Sequence, residues 1–215
     1  MIIIIDYDLG NLLSVQRAVS HLGFTAKISQ DRKEILNASH LILPGVGAFG
    51  KGMKNLHKLG LVEPIKEFAK SNRPLLGICL GMQLLLSHSE ELGDNEGLDL
   101  IPGKVRYISK QPSFDKHSKV PNIGWNAISS PHLDNQFHSS ILQGIEQKEH
   151  FYFVHSLIGL PDNEKHIDAV NHYAGVACPA TINRDNVYGC QFHPEKSGEM
   201  GLKIISNFLN LATER

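Results

Sequence analysis

The chain has 215 residues, 41% of them hydrophobic, and carries 21 Lys and Arg against 22 Asp and Glu for a formal charge of −1. That length and apolar content suit one well-cored domain over residues 1–215, and basic residues scattered along the chain argue against a nucleic-acid partner. The opening Met1-Ile2-Ile3-Ile4-Ile5-Asp6 has no basic leader and is too short an apolar run for a signal peptide or membrane span, so a cytoplasmic protein is expected.

The Ile run predicts a fully buried strand. Leu12, Val15, Val19 and Leu22 then recur at helical spacing over residues 11–22, stopped by Gly23. A strand at 24–28, a short helix at 31–37 and a strand at 41–43 ending at Pro44-Gly45 follow. Helices are predicted over 51–59 and 62–71, then a buried strand at 75–78 leading through Cys79 into a helix over 80–87. Such alternation implies parallel strands with crossover helices. The second half is β-rich, with short segments at 104–108, 125–128, 150–155, 166–171, 177–182 and 187–191 read as an antiparallel flank. A final helix over 199–211 turns Leu202, Ile205, Phe208 and Leu209 inward, and the polar, aperiodic stretch 110–120 is expected to be a mobile loop. The fold class is therefore α/β, with a mostly parallel central sheet, flanking helices and a smaller antiparallel flank.

The most telling stretch is Leu75-Leu76-Gly77-Ile78-Cys79-Leu80-Gly81-Met82-Gln83. A strand that passes through one residue into a helix holds that residue in strained geometry, and glycines two before and two after it allow close backbone approach. Cys79 would sit at a helix N-terminus, which favours the thiolate. A base is supplied far downstream by Gln191-Phe192-His193-Pro194-Glu195. Pro194 biases His193 toward extended backbone, where residues two apart point the same way, so Glu195 can orient the His193 ring. Cys79, His193 and Glu195 thus compose a nucleophile, base and orienter.

Gly45-Val46-Gly47-Ala48-Phe49-Gly50 fits GxGxxG, the dinucleotide-binding pattern. It follows the third strand instead of opening the first βα unit, and no strand with a terminal acidic residue follows at the usual distance. Beside the Cys79 turn, the same glycine-rich loop can aim a backbone N–H at a developing oxyanion, with Val46 and Leu80 as donors. Cys79, Cys178 and Cys190 form no CxxC pair and are odd in number, so reduced thiols are expected, with Cys178 and Cys190 in core or neutral positions. The twelve histidines include no HxxxH or HExxH pair, and no metal or other cofactor is expected.

Gly77 to Gln83 together with His193-Pro194-Glu195 resembles the class I, triad-type glutamine amidotransferases, over nearly the whole chain. Within that class, Pro44 to Phe49, Pro121-Asn122-Ile123-Gly124-Trp125-Asn126, Phe151 to Ser156 and His193 to Ser197 look like the glutaminase subunits of imidazole glycerol phosphate synthases; other members usually have Pro-Gly-Gly where this chain has Pro-Gly-Val-Gly. The resemblance implies a flavodoxin-like fold and glutamine hydrolysis, with ammonia passed to a separate (β/α)8 cyclase subunit in histidine biosynthesis. It implies that Cys79 attacks the amide, that His193 moves protons and that Glu195 orients it. Gln83, Glu91 and Ser156 match positions that bind glutamine, while Asn11, Trp125, Tyr152 and Lys196 match positions near the partner interface. Leu157 stands where the family often has an aromatic residue. The resemblance also implies a switch at Val46: a β-branched residue between two glycines can turn its N–H toward substrate when the partner binds.

Three rival functions fit parts of this pattern. A paralogous glutaminase supplying ammonia to a nucleotide-linked sugar shares every motif, a non-catalytic subunit on the same fold predicts a broken triad, and a free-standing cysteine hydrolase predicts turnover without a partner.

Overall fold

The computed structural model describes residues 1–132, 134 and 136–212. A central seven-stranded sheet runs in the order β11-β12-β13-β4-β3-β1-β2. Its parallel part comprises β1 (Ile2–Ile5), β2 (Ala26–Ser29), β3 (His40–Gly45), β4 (Leu75–Cys79) and β13 (Val187–Cys190). Two antiparallel strands, β11 (Ile167–Tyr173) and β12 (Val176–Arg184), extend one edge.

β1 shows why four consecutive isoleucines suit this place. Ile3 and Ile5 enter one apolar layer with Ile35 of α2 (Arg32–Leu36), Met53 and Leu56 of α3 (Phe49–Lys58), and Ile65 and Phe68 of α4 (Val62–Ala69). Ile2 and Ile4 enter the opposite layer with Val15 and Val19 of α1 (Leu12–His21) and Ile204, Ile205 and Phe208 of α6 (Gly198–Leu209). A strand covered on both faces has no polar side to alternate with, hence a continuous apolar run. The chain moves from β1 outward to β2 and back across to β3, so the strand order reverses between the ends of β1 and β3, where open α/β sheets place their binding crevices.

The predicted helix over 80–87 is corrected: α5 covers only Leu80–Leu84, and β5 (Leu86–Ser89) begins two residues later. The carbonyls that would continue the helix are taken by the next loop, with Leu98 N–H donating to Leu84 O at 2.8 Å and Leu100 N–H to Leu85 O at 2.9 Å. A second sheet of order β10-β7-β5-β6 is completed by β6 (Asn95–Glu96), β7 (Ile101–Tyr107) and β10 (Leu157–Pro161). β10, interrupted by Gly159 and ending in Pro161, shows no strand pattern in sequence. β8 (Asn122–Ala127) and β9 (His150–His155) pair antiparallel as a separate ribbon. On α6 the buried face is Ile204, Ile205, Phe208 and Leu209, with Leu202 only partly buried. The stretch 110–120 is tethered: Asp115 N–H donates to Ala174 O at 2.8 Å, the Tyr173 hydroxyl donates to Lys119 O at 2.7 Å, and Phe114 packs on Ile108, Ile158, Val176 and Cys178. Among the described residues no helix is long and apolar enough to cross a membrane.

Candidate active site

Cys79 stands at the C-terminal end of β4 with φ +54°, the left-handed region that a non-glycine residue enters only under constraint. The glycines around it supply that constraint. A β-carbon on Gly81 would overlap the Leu43 carbonyl of β3, and one on Gly77 would come within 2.7 Å of the Gly81 carbonyl carbon, so strand, turn and helix close on each other only without those side chains. Cys79 is buried, with 7% of the residue exposed.

His193 arrives from the other half of the chain. Phe192 is stacked on Phe151 with ring centroids 4.4 Å apart and meets Phe153 edge-on at 5.5 Å, which pins the segment to β9. The backbone completes the clamp: His193 N–H donates to Tyr152 O at 3.0 Å, Tyr152 N–H donates to Ser197 Oγ at 3.0 Å, and that hydroxyl donates to His193 O at 2.7 Å. His193 itself is extended, but Pro194–Lys196 forms a 3₁₀ turn. The strand alternation expected to align the two side chains is thus corrected to a turn, which brings Glu195 Oε1 to 2.9 Å from His193 Nδ1. Both side chains are almost fully buried.

Burial alone would lower the His193 pKa; its interactions with Cys79 and Glu195 outweigh that and raise it to about 9, so the ring is protonated at neutral pH. Its Nε2 has no formed hydrogen bond. Cys79 is close enough to act on the ring but outside hydrogen-bonding geometry, the loose arrangement common in catalytic pairs without substrate.

Val46, Leu80, Gln83, Glu91 and Ser156 line one cleft of about 370 Å³ with Cys79. Val46 is 40% exposed at its mouth, and Gly47 beyond it has φ +107°. Glu91 Oε2 accepts the Phe49 N–H at 2.6 Å, fixing the start of α3. This leaves Val46, Gly47 and Ala48 as the turn between β3 and α3. Gln83 is buried, its Nε2 donating to Gln191 Oε1 at 3.0 Å. Gln191, which the sequence reading passed over, is fully buried and directs its own Nε2 at the Cys79 sulfur, 3.9 Å away. Its signal was a polar residue closing an apolar strand beside His193.

The opposite wall is a hydrogen-bonded chain whose side chains lie in the 121–126 and 151–156 motifs but whose linkage is not legible in sequence. Asn126 Nδ2 donates to Asn122 Oδ1 at 3.0 Å, Asn122 Nδ2 to His155 Nε2 at 3.0 Å, and His155 Nδ1–H to Leu157 O at 2.9 Å. These partners assign a neutral ring with the proton on Nδ1; burial lowers the His155 pKa to about 4, against the pull of the Leu157 carbonyl.

Asn11, Trp125, Tyr152 and Lys196 lie outside this cleft. Asn11 precedes α1 without a side-chain capping bond. Trp125 and Tyr152 are directly paired across β8 and β9 with rings edge-to-face, Trp125 being 55% exposed, and Lys196 is exposed beside Glu195. Another cleft, about 440 Å³, lies at the far ends of β4 and β13 among Lys66, Leu98, Arg184 and Val187, and holds no nucleophile. Cys178 and Cys190 are free and buried; burial raises the Cys178 pKa to about 12 and lifts that of Cys190 further. Among the described residues no group of metal-ligating side chains converges.

The sequence matches the family described as "Glutamine amidotransferase class-I" over residues 3–211. It is 48% identical over 208 residues to imidazole glycerol phosphate synthase subunit HisH 1 of Legionella pneumophila (strain Paris), covering 97% of this chain and 98% of that protein. It is also 48% identical over 209 residues to subunit HisH of Caldanaerobacter subterraneus subsp. tengcongensis, covering 97% of each. A solved structure titled as a glutamine amidotransferase superposes with a TM-score of 0.71 at 16% identity, covering 96% of both chains, and supports the fold alone. The chain therefore belongs to the class-I glutamine amidotransferase family, in the group of the imidazole glycerol phosphate synthase HisH subunits.

Proposed function

We propose that this chain hydrolyses glutamine to glutamate and ammonia as the glutaminase subunit of imidazole glycerol phosphate synthase. The observation that carries the reading is the meeting of Cys79, held at φ +54°, with a buried His193–Glu195 pair. The Cys79 sulfur attacks the glutamine carboxamide carbon, and the oxyanion takes hydrogen bonds from the Val46 and Leu80 N–H groups. His193, protonated at neutral pH, gives its proton to the departing ammonia and leaves a γ-glutamyl thioester. The neutral ring then takes a proton from the water that attacks the thioester, and Glu195 holds the ring throughout. Gln83, Glu91 and Ser156 hold the polar ends of glutamine.

The partner is a (β/α)8 cyclase subunit that consumes the ammonia in histidine biosynthesis, in the cytoplasm. The face that docks it is formed by Asn11, Trp125, Tyr152 and Lys196. Ile123, two residues before Trp125 on the same side of β8, is 60% exposed, and Leu13 at the start of α1 is 58% exposed, so this rim carries apolar surface that a monomer has little use for. Partner binding turns the Val46 peptide into its active orientation.

The test is glutamate release from glutamine by the chain alone, then with the cyclase subunit and its ribonucleotide substrate, with Cys79→Ala as control. Strong stimulation that is lost on the order of 10⁴-fold in Cys79→Ala, with unchanged thermal unfolding, is the expected result. Full activity without partner would make the chain an ungated hydrolase, and no response to the cyclase would direct the ammonia to another acceptor.

A further inference from the structure

Tyr7, two residues beyond β1, is fully buried, and its hydroxyl has no hydrogen-bond partner. Its backbone is anchored: the Tyr7 carbonyl accepts from Asn55 Nδ2 of α3 at 2.9 Å. Burial, reinforced by the Cys79 charge, raises the phenol pKa, so the hydroxyl keeps its proton and remains a donor. It occupies the space that a β-carbon on Gly45 would need, with Leu80 Cβ at 3.0 Å from that same point and Gly81 N at 3.2 Å. Gly45 is thus a glycine for steric reasons, and its immediate neighbour is an unpaired donor. Buried hydroxyls are rarely left in that state without cause.

The peptide between Gly45 and Val46 is planar, so any rotation that carries the Val46 N–H toward the cleft carries the Gly45 carbonyl the opposite way, toward the protein interior. A buried carbonyl needs a donor. We propose that the Tyr7 hydroxyl is that donor: it receives the Gly45 carbonyl when the peptide turns the Val46 N–H toward bound glutamine. This rests on the glutaminase reading above. Tyr7 is then a positioning residue for the oxyanion hole. Its hydroxyl is unpaired in the resting arrangement and paired in the active one, so it stabilises only the latter and shifts the balance toward it.

Tyr7→Phe removes this one hydroxyl. The expected result is a free chain whose thermal midpoint is unchanged or raised, because no hydrogen bond is lost and an unpaired buried hydroxyl is removed. Cyclase-stimulated kcat for glutamate release falls on the order of tenfold, while KM for glutamine and cyclase affinity stay within about twofold. A packing role predicts the reverse, a lowered midpoint with kcat intact, and that outcome or a wild-type rate would overturn the proposal. The pH profile of Cys79 alkylation by iodoacetamide is expected to be the same in both proteins; a displaced profile would assign the hydroxyl to the sulfur and also overturn it. Should the wild-type chain release no glutamate with the cyclase present, the glutaminase reading fails and takes this one with it, a result distinct from an active wild type matched by Tyr7→Phe.

Discussion

The two walls of the cleft are built in opposite ways. On the side of β9 and β10, hydrogen bonds run unbroken from Asn126 through Asn122 and His155 to the Leu157 carbonyl, and His193 is clamped through Tyr152 and Ser197. On the side of β3, Gly45, just before the turn Val46–Gly47–Ala48, is packed against Tyr7 and Leu80, and the Tyr7 hydroxyl makes no bond. A wall cross-linked by hydrogen bonds resists rearrangement, while a wall held mainly by shape can exchange between two arrangements at small cost. In the proposed reaction, proton transfer needs the first kind of support, and an oxyanion hole switched by a partner needs the second. The molecule separates the two tasks by element.

The largest effect is expected where the fixed wall meets the proton. Glu195→Gln keeps the shape but removes the negative charge beside His193, so the ring pKa falls from about 9. Partner-stimulated kcat should drop about 10²- to 10⁴-fold. A stability signature accompanies it. The folded pKa of His193 lies above its unfolded value of 6.5, so its contribution is present in full below about pH 6.5 and is lost as pH rises through about 9. Thermal unfolding followed from pH 6 to 10 should show that loss in the wild type and a flatter profile in Glu195→Gln. Equal profiles would mean that Glu195 does not govern the ring.

Gly45→Ala probes the loose wall. Its methyl group would overlap the Tyr7 hydroxyl and crowd Leu80, costing about 1–3 kcal/mol of stability by overpacking. In a Tyr7→Phe background part of that cost should return, because the two sites touch and are not additive. Denaturant midpoints of the four proteins give the coupling directly, and strictly additive values would show that Tyr7 does not fill this space.

The smallest expected effect is at the far end of the fixed wall. Asn122→Ala leaves His155 Nε2 buried without its donor, costing about 1–2 kcal/mol and loosening the strand that carries Ser156. Stability should fall while kcat for glutamate release changes little. A large fall in kcat with stability intact would place Asn122 nearer the chemistry than its hydrogen bonds suggest.

Legibility in the sequence followed locality. Leu75 to Gln83 announced a strand, a strained turn and a helix start because the apolar run and two glycines are all the local geometry requires, and β1, β3 and β4 follow from continuous apolar stretches. β10 and the early end of α5 were not legible. Whether Leu86 continues a helix or starts a strand depends on β7 lying alongside it, a partner distant in sequence. The same holds within the site. His193 and Glu195 were readable as a pair, but the 3₁₀ turn that joins them was not, nor were the contacts of Gln191, Asn122 and Tyr7, because these depend on which buried atoms the side chains face.

Residue types and short spacings alone determined the α/β class, the parallel first half and the nucleophile turn, since each depends on backbone sterics and periodicities within about ten residues, while the family was legible through the resemblance of motifs far apart in the chain. Only the tertiary structure decided which groups around Cys79 are paired and which are not. Hydrogen-bond satisfaction is a property of assembled surroundings: the Tyr7 hydroxyl is unpartnered because β1, β3 and α5 meet around it, and no stretch of sequence contains all three.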